Sequence, residues 1–157
     1  MDFGSVERGW RRGWMDAIGA LSRGDRVATM PAPDSRPLRV LYMRAQGIGD
    51  LILATGVLRA IAQSNADLAL DVLTTPVAAP VLDGNPYVRG IHLLRRSTRQ
   101  YLALARAVRA SNYDVIIDGK ITRGASFIRS PALSMVARAP YRVGVGGGNH
   151  RLVYNVC

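Results

Sequence analysis

The stretch from Leu38 to Asp50 constrains this chain more than any other. An apolar run rich in branched side chains breaks at Gly47 and Gly49 and delivers a carboxylate, Asp50, straight into a helical pattern. Leu38 to Met43 barely alternates in polarity, as expected of a strand buried on both faces of a parallel sheet. Leu51, Ala54, Leu58 and Ile61 then recur at helical spacing. A strand, a glycine-bearing turn and a helix start form a ready site for negative charge, because the first N–H groups of the helix lack partners and the glycines let a ligand come close. Phosphate or a sugar phosphate is the expected guest.

The turn excludes two common assignments. Position 52 is Ile, so the third glycine of the dinucleotide fingerprint is missing, and no Gly-Lys-Ser/Thr follows to make a Walker loop. Asp50 itself has two readings. It is either an N-cap or first-turn residue complementing the helix dipole, the commoner role for an isolated Asp, or a base at the edge of a crevice.

From Leu38 onward the sequence alternates strand and helix patterns. Strands are predicted at 38–44, 69–74, 89–94, 113–118 and 141–145, with helices at 49–64, 76–83, 97–111 and 122–138. Such alternation predicts an α/β, doubly wound parallel sheet, and right-handed crossovers give it strand order 3-2-1-4-5. In such sheets the ligand crevice lies outside the carboxyl ends of the strands. Asp114 enters the fourth strand as a turn or capping residue. Asp118 leaves it on the crevice edge, as a substrate hydroxyl acceptor or, preferably, a structural partner of Lys120 or Arg123. Gly144 to Gly148 after the last strand reads as a flexible loop rather than a phosphate cradle, since no helix pattern follows it.

Charge points to an anionic partner. The 157 residues carry a net charge of +10 with 48% apolar and 20% charged residues, a balance typical of one globular domain. Between Arg95 and Arg142 ten Lys or Arg residues face only Asp114 and Asp118. Arg95, Arg96, Lys120 and Arg123 follow predicted strands and so fall on the crevice edge with Asp50, whereas Arg106, Arg109 and Arg138 read as solvated helix faces. Cys157 alone, with His92 and His150 far apart, supports neither a disulfide framework nor a metal site.

Residues 1–37 read as a separate segment, an amphipathic helix followed by a linker. Phe3, Val6, Trp10, Trp14, Ala17, Ile18 and Leu21 share one helical face opposite Glu7, Arg11, Arg12 and Asp16. That face suits packing against protein, or rest at a membrane interface. Three prolines between Met30 and Pro37 mark the linker. No run approaches the roughly 20 apolar residues of a membrane span, and the early charges argue against a cleavable signal.

Four segments in order, Gly47-Ile48-Gly49-Asp50, Val81 to Val88, Tyr113 to Asp118 and Tyr141 to Gly144, resemble the amino-terminal domain of glycosyltransferase family 9, the ADP-heptose:lipopolysaccharide heptosyltransferases and their relatives. The resemblance covers 38–157. It implies a Rossmann-like domain forming the amino-terminal, acceptor-side half of a GT-B enzyme, with the carboxyl-terminal donor domain absent from this chain. It further implies that Asp50 is the catalytic base in an inverting transfer from a nucleotide sugar such as ADP-heptose, with neither metal nor cofactor. Gly47 and Gly49 would meet donor phosphates, while Arg95, Arg96, Arg123 and Arg151 would hold an anionic saccharide or lipid-linked acceptor. The implied location is cytoplasmic, at or near the inner membrane, with no nucleic acid partner. A non-catalytic basic module binding anionic lipid or nucleic acid is the alternative, and an inactive remnant the third reading. Few aromatics interleave with the basic residues, which weakens the nucleic acid version.

Overall fold

The computed structural model describes residues 37–45, 47–119, 129–144 and 153–154. The expectations for residues 1–36, Lys120, Arg123, the start of the 122–138 helix, the glycines after Gly144 and Arg151 lie outside the described residues. Five strands, β1 (Leu38–Met43), β2 (Leu68–Thr74), β3 (Gly90–Leu93), β4 (Val115–Asp118) and β5 (Tyr141–Gly144), alternate with helices α1 (Ile48–Gln63), α2 (Thr98–Ala110) and α3 (Arg129–Ala137). All neighbouring strands are parallel, in the order β3-β2-β1-β4-β5 expected from the crossover rule.

The lack of alternation in β1 has its cause in the two cores. Val40 and Tyr42 pack with Leu51, Ala54 and Leu58 of α1, whereas Leu41 and Met43 pack with Leu104 and Val108 of α2 and Leu133 of α3. A strand covered on both faces needs apolar residues at every position. The outer strand β3 is less buried, and Ile91 stays exposed there.

One predicted helix, 76–83, is replaced by a single 3-10 turn at Ala79–Leu82. Pro80 lies in the middle of the predicted span and has no N–H to donate, and the chain leaves the turn through Gly84 at positive φ. Asp114 ties the entrance of β4 to β1, its Oδ2 accepting the Arg39 N–H at 2.8 Å.

At the far edge, β5 is fastened to the later segment Val153–Tyr154. Buried Arg142 donates from Nε to the Val153 carbonyl at 2.8 Å and from Nη1 to the Ala139 carbonyl at 2.9 Å. Gly144 lies under the ring of Tyr154, where a Cβ would overlap the aromatic carbons. Gly144→Ala is therefore expected to cost about 1–3 kcal/mol by forcing that ring outward. Urea unfolding monitored by tyrosine fluorescence checks it; an unchanged midpoint would mean the ring does not rest on Gly144.

Candidate active site

The loop leaving β1 gathers the chemistry. Gly47 caps α1 without a side-chain bond, so Asp50 is the third residue of the first turn and not the N-cap. Its carboxylate turns to Arg44, whose Nη2 lies 3.1 Å from Asp50 Oδ1. Arg44 also donates from Nη1 to the carbonyl of Gly119, just beyond β4. The Arg44 side chain is 14% exposed and that of Asp50 41%, so a well-buried cation holds a carboxylate that water or substrate still reaches. Two further polar atoms at this edge, Arg44 Nε and Thr74 Oγ1, are buried without a partner.

Gly47 and Gly49 adopt no backbone conformation reserved for glycine. Gly47 has φ −59°, a conformation open to any residue, and neither glycine is among those at positive φ. A Cβ on either would meet nothing within 4 Å. Their contribution is bare space above the helix start, not a strained turn. Gly119, by contrast, is required by packing, since a Cβ there would overlap the hydroxyl of Tyr42. Burial raises the pKa of that hydroxyl, opposed by Arg44 and assisted by Asp118.

Arg95 and Arg96 follow β3 directly and are exposed at the same carboxyl edge. β3 lies two strands from β1, about 10 Å at ordinary strand spacing. The topology thus sets Asp50 and the arginine pair along one rim. Asp118 is no open hydroxyl acceptor. It is 5% exposed and accepts the Tyr154 hydroxyl at 2.5 Å. Its role is structural, as preferred from sequence, with Tyr154 as the partner seen. Among the described residues no group of three His, Cys, Asp or Glu could hold a metal ion.

Away from this rim lies a polar cluster that sequence reasoning missed. Asp71, 4% exposed in the middle of β2, receives Arg89 Nε at 3.0 Å and Nη2 at 2.5 Å, and the Tyr113 hydroxyl at 2.6 Å. His92 Nε2 lies 2.7 Å from that hydroxyl, its ring edge-on to the tyrosine. Because the hydroxyl donates to Asp71, the imidazole N–H donates to Tyr113. Burial alone would raise the Asp71 pKa; the bonds from Arg89 and Tyr113 and the charges of Arg89 and His92 outweigh it and bring the carboxyl below its usual value. Burial lowers the His92 pKa, against the attraction of Asp71 and aided by Arg89. It also drives the Tyr113 hydroxyl far above its ordinary range, with Asp71 adding to the effect. The signal was a lone carboxylate inside an otherwise apolar strand.

Strand order and two-sided helical cover define a Rossmann-like domain, with the Asp50 carboxylate in the first turn of the helix that follows β1. Among solved structures, the fold is that of glycosyltransferases with the GT-B architecture. A glycosyl transferase family 9 protein from Veillonella parvula superposes with a TM-score of 0.60 at 18% identity, over 73% of this chain and 34% of that one. E. coli heptosyltransferase WaaC, solved with ADP, gives 0.57 at 23% identity over 69% of this chain and 34% of that one. E. coli ADP-heptose lps heptosyltransferase II gives 0.55 at 18% identity, over 68% and 30%. This chain thus spans about a third of the length of these proteins. Neither the protein-family models nor the curated proteins contain a match to its sequence.

Proposed function

We propose that this chain is the acceptor-side half of an inverting glycosyltransferase of the family 9 type, with Asp50 as its base. The observation that carries the reading is the Arg44–Asp50 pair at the start of α1: a carboxylate held in place by a buried guanidinium yet open on its other side. In the reaction Asp50 takes the proton of an acceptor hydroxyl as that oxygen attacks the anomeric carbon of a nucleotide sugar. The bond to the nucleoside diphosphate breaks, the diphosphate leaves with the electron pair, and the configuration inverts. Bare backbone at Gly47 and Gly49 leaves room for donor phosphates beside the helix start. Arg95 and Arg96 hold phosphate or carboxylate on the acceptor through their forked donors, with Arg123 and Arg151 assigned the same task.

The donor, ADP-heptose in this reading, binds chiefly to a second domain that closes the cleft, and the acceptor is a lipopolysaccharide-type or lipid-linked saccharide at the cytoplasmic face of the inner membrane. Exposed Ile48, Ile52 and Leu53 at the same end of α1 offer that second domain or the acceptor an apolar surface. No described helix is long and apolar enough to cross a membrane. Neither metal nor cofactor enters this mechanism.

The test is transfer by a two-domain form, this chain joined to a donor-binding domain, against a panel of nucleotide sugars that includes ADP-heptose, with product configuration read by NMR. Transfer from one donor with inversion is expected; retention, or no transfer from any donor, overturns the reading. In the same form Arg95→Gln/Arg96→Gln is expected to raise the acceptor KM by about tenfold or more with the donor KM unchanged. Equal losses on both substrates would remove these arginines from the acceptor site.

A further inference from the structure

The opposite edge of the sheet carries a second basic feature, which the transferase reading does not use. A cavity of about 720 Å³ opens where α2 and α3 end, lined by Arg106, Arg109, Asn112, Asp114, Arg138 and Pro140 among others. Asn112 and Asp114 lead into β4 and Pro140 into β5, so this cavity lies at the amino edge, a full sheet length from Asp50. Its volume falls in the range of small-ligand sites.

Its charge is one-sided. Three guanidinium groups share the wall with a single carboxylate, Asp114, which already accepts the Arg39 N–H. Arg109 donates to the Val136 carbonyl at 3.3 Å and so serves partly as a cap for α3. Arg106 and Arg138 are exposed and form no ion pair among the described residues.

Backbone conformation supplies an independent observation. Arg138 has φ 55°, a left-handed conformation that favours glycine or asparagine and costs an arginine about 1 kcal/mol. Asn112 across the cavity has φ 47°, which asparagine tolerates. Arg138 is the exception: where a helix ends in this way glycine is the usual residue, and a long cation stands here instead. Residues kept in unfavourable backbone regions concentrate at ligand clamps.

The geometry points to a phosphate-binding site in this cavity, with Arg106 and Arg138 as its principal donors and Arg109 at its rim. The ligand is a phosphate-bearing anion, either the headgroup of an acidic phospholipid or a free phosphate compound. Exposed Leu102 lies one turn before Arg106 on α2, and exposed Val136 lies in the last turn of α3, two residues before Arg138. A site at this edge leaves the carboxyl rim free for transfer, so it stands or falls separately from the transferase reading.

The experiment uses the full chain. Binding of inorganic pyrophosphate is measured by calorimetry, and binding to vesicles of phosphatidylglycerol in phosphatidylcholine by co-sedimentation at fixed ionic strength. Saturable binding in at least one arm is expected, weakened about tenfold or more by Arg106→Gln/Arg138→Gly and also, to a smaller degree, by Arg106→Gln alone, for which Arg59→Gln on the other face of the sheet is the equal-charge control. Pyrophosphate binding identifies a free phosphate ligand, and vesicle binding alone identifies a lipid headgroup. Because glycine suits φ 55°, Arg138→Gly alone is expected to leave the melting temperature unchanged or higher, which separates loss of binding from loss of fold. No saturable binding in either arm, or the same loss in Arg59→Gln, overturns the site.

Discussion

Asp50→Asn, made in a two-domain form, is expected to lower turnover by about 10²–10⁴-fold, the range that a positioned general base contributes. Folding should barely change. The substitution keeps the size of the side chain, and the pair it weakens is partly exposed on the Asp50 side, so a screened interaction of at most modest value is lost. The competing role, a first-turn carboxylate favouring the helix dipole, predicts the reverse: a slightly weaker helix and near-normal turnover. Arg44 separates the two further. If its guanidinium acts only by holding Asp50, then Arg44→Gln lowers kcat, and the double variant with Asp50→Asn is no slower than Asp50→Asn alone. Independent, multiplying losses would give Arg44 a contact of its own with substrate. Initial rates at saturating acceptor, with circular dichroism as the fold control, decide between these outcomes.

The parallel sheet was legible because a strand covered on both faces advertises itself as an unbroken apolar run, and because handedness leaves one strand order for this pattern of crossovers. The position of Asp50 was legible for a similar reason: the break from strand to helix at Gly47 fixes which residue stands in the first turn of α1. What partners Asp50 was not. Arg44 lies six positions earlier, and only the path of the intervening loop turns its side chain onto the carboxylate. Asp118 shows the opposite case. Its place at the exit of a strand was legible, but Tyr154, whose hydroxyl it accepts, arrives from 36 residues further along, after a glycine-rich stretch with no periodicity to read. The helix expected at 76–83 failed on chemistry that was visible, since Pro80 inside it counted for less than the apolar spacing around it. Asp71 was visible too, as a carboxylate amid apolar neighbours, though its two hydrogen-bond partners, Arg89 and Tyr113, come from just before β3 and just before β4 and no local pattern joins them.

That cluster carries the second large expectation, which concerns stability. Asp71→Ala is expected to destabilise the domain by about 3 kcal/mol, near the low end for breaking a buried ion pair. The low end applies because the Arg89 side chain is 46% exposed and regains water, whereas the buried Tyr113 hydroxyl loses its acceptor. Domains of this size hold roughly 5–15 kcal/mol in total, so the loss is a large fraction. The signs of the pKa shifts extend the expectation to pH. Folding lowers the His92 pKa, so the unfolded chain binds its proton first on acidification; this contribution is complete above about pH 6.5 and is lost as pH falls to the folded value. Folding also lowers the Asp71 pKa, so that contribution is complete above about pH 4 and lost below it. Urea midpoints should therefore fall in two steps between pH 7.5 and pH 3. His92→Gln, which keeps a donor for Tyr113 but does not titrate, should remove the upper step and leave the lower one. An upper step of unchanged size in that variant would assign it to another group, and a midpoint in Asp71→Ala equal to that of the parent at pH 7.5 would mean that Tyr113 and Arg89 find equally good partners without the carboxylate.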